Sequence, residues 1–298
     1  GNQMKRDVLK RDLRFAIIPK VVHPWFEEVY RGAIAQAELL ENHLGIKIEV
    51  EYLTPETADL AVQRAIFDKA IAADYDGITI DPLDKLFNMK SIADIKNKGI
   101  PVIVFDSPAP VAGILSVGNN FTQQGTVAAE RLAKLLEEKG KVAVMQGYPS
   151  APNHHERYVA QIAVLKKYPG IVIVDGGIDN DDIDVAKQQA LSVLEAHTDL
   201  NGYLCCDASG PIGIAAAIKK ANRVGIVKVV GMDGIKPILL SIKEGVIESS
   251  VATIPRMQGS MSILMLWQAS LGVQIPRKID TNIDIITRDN VDNFLALA

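Results

Sequence analysis

The chain has 298 residues, 48% hydrophobic and 23% charged, with a formal net charge of -4, the composition of a globular protein large enough for two compact domains. The weak acidity is spread along the chain and leaves no basic footprint, so nucleic acid is excluded as an expected partner. No apolar run approaches the roughly 18 residues of a bilayer span, and the two cysteines, Cys205 and Cys206, are adjacent and supply no disulfide framework.

Taken in order, strand-like and helix-like runs alternate. A polar opening up to Asp12 reads as a tether, and Gly1 as a cleavage scar left where an export signal has been removed. Leu13–Pro19 is an apolar strand running into a proline-interrupted turn with Lys20, His23 and the adjacent aromatics Trp25 and Phe26, followed by an amphipathic segment, Glu27–His43. In a βα unit that turn sits at the carboxyl end of the strand, where open α/β sheets bind ligands. Strands are expected at Lys47–Leu53, Gly77–Ile80 and Pro101–Phe105, with helices from about Ala58 to Ala73 and Leu83 to Lys98. Leu60, Ile66 and Ala70 are expected on the core stripe of the first of these helices. Strict βαβα order implies a parallel sheet with helices on both faces.

After Ile114–Val117 the rhythm restarts. Helices are expected at Thr122–Glu138, Asn153–Lys167, Asp182–His197 and Gly210–Asn222, interleaved with strands at Lys141–Gln146, Ile171–Asp175, Gly202–Cys206 and Lys228–Gly231. Two similar sets of βα units imply two similar domains, because sheets beyond about ten strands are uncommon. The remainder, a strand at Ser249–Ile254, a helix at Met257–Leu271, a strand at Asn282–Ile286 and a short terminal helix, is too little for a third domain. It must complete the first two, so the chain is expected to cross between them more than once. The fold class is α/β, with two Rossmann-like lobes of parallel strands.

Several signals carry no chemistry. Asp179–Asp184 is acidic but lacks the glycine and distal glutamate of a calcium loop, and reads as negative charge at a helix N-terminus. Gly176-Gly177 reads as a turn. No dinucleotide fingerprint, phosphate-cradling loop, nucleophile elbow or metal-ligand histidine spacing is present, so neither cofactor nor metal is expected.

Over essentially its whole length the chain resembles the type I periplasmic binding proteins of bacterial ABC transporters, in their ribose- and galactose-binding branch. The segments that carry the resemblance are Ile17–Lys20 with Pro24–Phe26, Asp76–Pro82, Ile100–Asp106, Gln146-Gly147, His155–Arg157, Gly231–Gly234 and Thr287–Val291. The resemblance implies two lobes joined by three crossovers, near Asn119, Thr253–Pro255 and Asn282, closing on a ligand by hinge motion. The lobes are then 13–118 plus 254–281 and 119–253 plus 282–298. It also implies an extracytoplasmic monomer, periplasmic or lipid-anchored outside the cell, serving a membrane permease or sensor.

The ligand groups follow from position and resemblance together. Asp106 and Asp233 each end an apolar strand, one in each set of units, and either cap backbone donors or accept hydrogen bonds from ligand hydroxyls. A carboxylate accepts from two hydroxyls, and each charge-assisted bond is worth about 1.5–3 kcal/mol, so such a pair suits a neutral sugar or polyol. Trp25 and Phe26 offer faces for sugar C–H patches, or a hydrophobic staple for the helix behind them. Lys20 is similar to the lysine of rhamnose- and autoinducer-binding members. His23 stands where ribose-type members often have asparagine, Ser107 beside Asp106 where they have arginine, and His155 where they have a clamping arginine. Arg157 pairs with ligand or with an acidic neighbour, and His154 reads as a surface histidine. Cys206-Asp207 replaces a common Asn-Asp, with Asp207 a cap or an acceptor, and Thr253 replaces a glutamine. The alternatives to a transport protein are the effector domain of a LacI-type regulator, a sugar sensor subunit for a membrane kinase, and an α/β enzyme with an unrecognised site.

Overall fold

The computed structural model describes residues 11–85 and 89–298; the expected tether lies almost wholly outside them. The described residues fold as two compact units, one made of residues from 11 to 119 plus 254–281 and the other of 120–253 plus 282–298.

In the first unit the chain runs β1 (Leu13–Ile18), α1 (Pro24–Leu44), β2 (Ile48–Tyr52), α2 (Leu60–Ala72), β3 (Gly77–Ile80), α3 (Met89–Lys98), β4 (Val102–Phe105) and β5 (Ser116–Gly118). A six-stranded sheet has the order β2-β1-β3-β4-β5-β11, where β11 (Lys278–Asp280) comes from the returning segment. Every pairing in it is parallel. β3 and β4 are buried on both faces, as expected of strands with helices on either side. The returning helix α9 (Pro255–Ser270) packs on α1, where Gly32 and Gly259 let the two backbones touch: a Cβ on Gly259 would sit 1.8 Å from the Val29 carbonyl oxygen.

The second unit repeats the plan with α4 (Phe121–Leu135), β6 (Lys139–Gln146), α5 (Pro152–Leu165), β7 (Gly170–Ile178), α6 (Ile183–Ala196), β8 (Gly202–Leu204), α7 (Ser209–Lys220), β9 (Lys228–Met232), α8 (Lys236–Glu244) and β10 (Ser249–Ala252). Its six-stranded sheet is ordered β7-β6-β8-β9-β10-β12, with β12 (Asp284–Thr287) at the edge and α10 (Val291–Leu295) closing the chain.

Five expectations need correction. β12 runs antiparallel to β10, so this sheet is not purely parallel. Gly176-Gly177 is not a turn but part of β7, where the register against β6 shifts; a Cβ on Gly176 would lie 2.4 Å from the Val144 carbonyl carbon. Helices α8 and the edge strand β11 have no counterpart in the expected elements, since one is short and the other has three residues. The helix expected from about Leu83 does not begin there: Leu83 and Asp84 lie outside it, the Leu83 N–H is given to Gln63 Oε1 at 2.8 Å, and the described helix is Met89–Lys98. Finally, α2 buries Gln63, Phe67, Ala70 and Ile71, while Leu60 and Ile66 pack at the margin of the core. A buried glutamine on a core face is invisible to an apolar periodicity.

Candidate functional site

The parallel register of the first unit sets three charged side chains side by side. Ile18 of β1 pairs with Ile80 of β3, and Ile80 with Val104 of β4. The residues that follow these strands, Lys20, Asp81 and Asp106, therefore leave the sheet at its carboxyl edge as neighbours. Lys20 Nζ lies 2.9 Å from Asp81 Oδ1 and 3.7 Å from Asp106 Oδ2. All three are buried. Burial drives the Asp81 carboxyl well above its usual range; the Lys20 charge opposes this and the Asp106 charge adds to it.

Two further groups hold the arrangement. Gln63 Nε2 donates to the carbonyls of Asp81, at 2.7 Å, and Pro19, at 3.1 Å, tying together the turns that carry Asp81 and Lys20. Asp106 adopts a left-handed backbone, φ 50°, with its N–H on the Val117 carbonyl. Ser107 is buried, and its carbonyl accepts from Ser116 Oγ. His23 is the N-cap of α1, its Nδ1 accepting from the Trp25 N–H at 3.1 Å. Trp25 and Phe26 are buried and meet edge to face with centroids 5.0 Å apart; Phe26 meets Phe105 likewise at 6.2 Å. Sequence reasoning missed Asp81 and Gln63. Asp81 had a signal, a carboxylate ending an apolar strand next to a proline.

The second unit reproduces the Asp106 geometry at Asp233. It too is left-handed, φ 70°, with its N–H on the carbonyl of the next strand, Val251. Ser250 Oγ donates to the Asp233 carbonyl, the counterpart of Ser116 and Ser107, and Thr253 Oγ1 donates to Asp233 Oδ1 at 2.6 Å. Asp233 and Thr253, both expected to meet a ligand, are thus brought together.

Cys206 and Asp207 follow β8. The Cys206 thiol donates to Gln161 Oε1, and its carbonyl accepts from Arg157 at 3.0 Å. Arg157 is buried, donates also to Gln124 Oε1 at 2.7 Å, and lies over the Phe121 ring. The guanidinium thus meets a carbonyl, an amide and a ring. His155 is exposed in a groove along α4 and α5 with Thr122, Thr126, Val159 and Lys167, and none of Cys206, Asp207, Asp233 or Thr253 lines that groove.

His154 is not a surface histidine. It is buried, and its Nδ1 accepts from the Tyr148 N–H at 2.9 Å. It belongs to an acidic cluster with Asp179, Asp181 and Asp207. The segment read as helix-terminal charge divides: Asp182 caps α6, whereas Asp179 and Asp181 are buried. Asp207 Oδ1 accepts from the Gly210 N–H and Asp179 Oδ1 from the Asp181 N–H, while Oδ2 of each is buried without a partner among the described residues. Burial raises both carboxyls, Asp207 to about 7 and Asp179 well above its usual range, where the Asp207 charge adds to the rise. Atoms of His154, Asp181 and Asp207 that could ligate a metal lie within 4.8 Å of one another. The Nδ1 lone pair is taken by Tyr148, however, which leaves Nε2 protonated, a donor and not a ligand.

Residues 15–273 match the family described as periplasmic binding protein domain. The D-allose-binding periplasmic protein of Escherichia coli is 23% identical over 265 residues, covering 86% of this chain and 84% of that protein. Among solved structures, a solute-binding protein from Burkholderia graminis in complex with D-arabinose superimposes with a TM-score of 0.85 at 26% identity, over 93% of this chain and 96% of that one. A glucose-galactose binding protein from Geobacillus stearothermophilus gives a TM-score of 0.84 at 25% identity, over 94% and 99%.

Proposed function

Because the chain belongs to the periplasmic binding protein family, whose members bind a solute rather than transform it, we propose that it is an extracytoplasmic binding protein for a small neutral sugar or polyol. It works with an ABC permease, as a monomer. The observation that carries this is the repeated strand-end carboxylate. Asp106 and Asp233 stand at matching places in two sheets, in the same uncommon backbone conformation and with the same backbone partner on the next strand. A left-handed aspartate at a strand end is the kind of strained residue that persists at ligand sites.

The chemistry suits hydroxyls. Thr253 orients Asp233 and Lys20 lies beside Asp106, so each carboxylate has a fixed direction in which to accept. Trp25 and Phe26, stacked edge to face behind the first turn, supply the apolar part, with His23 and Ser107 shaping the turns around them. Asp207 and Cys206 sit on the second sheet's edge beside Asp233, and Arg157 fixes that edge from behind. The relatives named for, or solved with, allose, arabinose, glucose or galactose support a monosaccharide.

The test is a thermal-shift panel of pentoses, hexoses, deoxysugars and polyols, followed by calorimetry on the strongest hit. Asp106→Ala and Asp233→Ala are each expected to weaken binding about 10- to 100-fold, from the loss of a charge-assisted bond. The exposed Lys134→Ala is expected to leave it unchanged. A panel without a single stabilising sugar or polyol would sink the proposal.

A further inference from the structure

Asp81 is the most constrained member of its group. Its N–H is given to the Ile18 carbonyl at 2.9 Å, its own carbonyl accepts from Gln63, and its side chain meets the Lys20 ammonium. Lys20 and Asp81 are each 0% exposed, and Asp106 is 5% exposed. An isolated buried ion pair contributes little to stability, because desolvation of both charges offsets their attraction. Fold stability is therefore a poor explanation for a lysine and an aspartate sunk at the carboxyl edge of a parallel sheet, where such sheets bind ligands.

We propose that Asp81 is a positioning residue for sugar recognition: it holds the Lys20 ammonium between itself and Asp106, so that the Asp106 carboxylate is presented in one direction. The proposal rests on the sugar-binding reading and adds to it the origin of selectivity. Lys20 carries three donors on a flexible stem and would otherwise choose among several rotamers. With Asp81 fixed at both backbone groups, the ammonium has one place to be, and Asp106 then has one preferred direction for each oxygen. An acceptor held in this way distinguishes epimers, since a hydroxyl moved from equatorial to axial no longer meets it. The cost of an unmet buried acceptor falls on the wrong sugar alone. Burial is what raises the proton affinity of Asp81, and the Lys20 ammonium opposes that rise.

Two measurements test it. The first needs no ligand: nitrogen NMR of lysine side chains. In the wild type, the Lys20 ammonium is expected as a slowly exchanging signal apart from the surface lysines, and Asp81→Asn is expected to shift it or speed its exchange. A Lys20 signal that exchanges like a surface lysine, or is unmoved by Asp81→Asn, overturns the proposal. The second uses the sugar selected by the thermal-shift panel and its epimers. Asp81→Asn is expected to weaken binding about 10-fold or more and to compress the preference between epimers. The double variant Lys20→Met with Asp81→Leu, which removes both charges at similar volume, is expected to bind no worse than Lys20→Met alone. Losses that multiply in the double variant, or unchanged epimer preference in Asp81→Asn, overturn it. If Asp81→Asn does not fold, the double variant carries the test, and wild-type affinity in it is the overturning result. A panel that yields no sugar sinks the sugar reading alone, because the lysine signal still decides the positioning.

Discussion

At the scale of single residues, the acidic cluster behind β8 has a measurable consequence. Asp179 and Asp207 bind a proton more tightly in the folded state than the roughly 3.9 of an unfolded aspartate. Between about pH 4 and about 7 the folded protein therefore holds a proton that the unfolded chain has released, and this pair's contribution to stability falls as pH rises through that window. Asp179→Asn removes one charge while its Oδ1 can still accept from the Asp181 N–H. Melting curves at pH 5, 6.5 and 8 are expected to show a smaller loss of Tm with rising pH in this variant than in the wild type; parallel curves would refute the raised proton affinity of the pair. Arg157 gives a second prediction. Its guanidinium satisfies the Gln124 side chain and the Cys206 carbonyl inside the core. Arg157→Ala leaves both without their donor and is expected to cost about 3 kcal/mol by urea denaturation. A loss below about 1 kcal/mol would mean that solvent replaces the guanidinium.

Among elements, the crossing of α1 and α9 is the most exacting joint in the first unit. The returning segment contributes α9 and the edge strand β11, and α9 fits because two glycines meet the facing backbone. A Cβ on Gly32 would lie 1.9 Å from the Arg256 carbonyl oxygen, and neither backbone can give way without moving a helix. The crossing is pinned by Arg256 on Glu28 at 2.6 Å and by Ser260 on Gln36 at 3.0 Å. Gly259→Ala is expected to cost about 3 kcal/mol in stability, at the upper end of overpacking. A calorimetric Tm within a degree of the wild type would show that the helices separate more cheaply than this geometry allows.

For the whole molecule, binding is linked to stability by mass action. A ligand at about 100 times its Kd adds roughly 2.7 kcal/mol to the folded state, which for a chain of this size corresponds to a rise in Tm of about 5 °C. The same linkage makes Asp106→Ala informative in one experiment. The free variant is expected to melt lower, because Lys20 loses a buried partner and Ala replaces Asp at a left-handed position, and the sugar-dependent rise above that lower baseline is expected to shrink. A variant that loses stability and keeps the rise would place Asp106 in the fold and not in the site.

The periodic part of this protein is legible from its residues alone. The alternation of apolar runs with amphipathic ones specified the two α/β units, and strand-end position alone marked Asp106 and Asp233, because a polar residue that stops a buried strand has few places to go. Tertiary structure decided everything that depends on which strands are neighbours. Lys20, Asp81 and Asp106 are far apart in the chain and meet only through the order β1-β3-β4. In the same way the burial of His154 and the raised carboxyls of Asp179 and Asp207 follow from β6, β7 and β8 lying together. A sequence lists charges one at a time, whereas their meaning in a low-dielectric interior is set by the charges beside them, and parallel pairing is what brings those together.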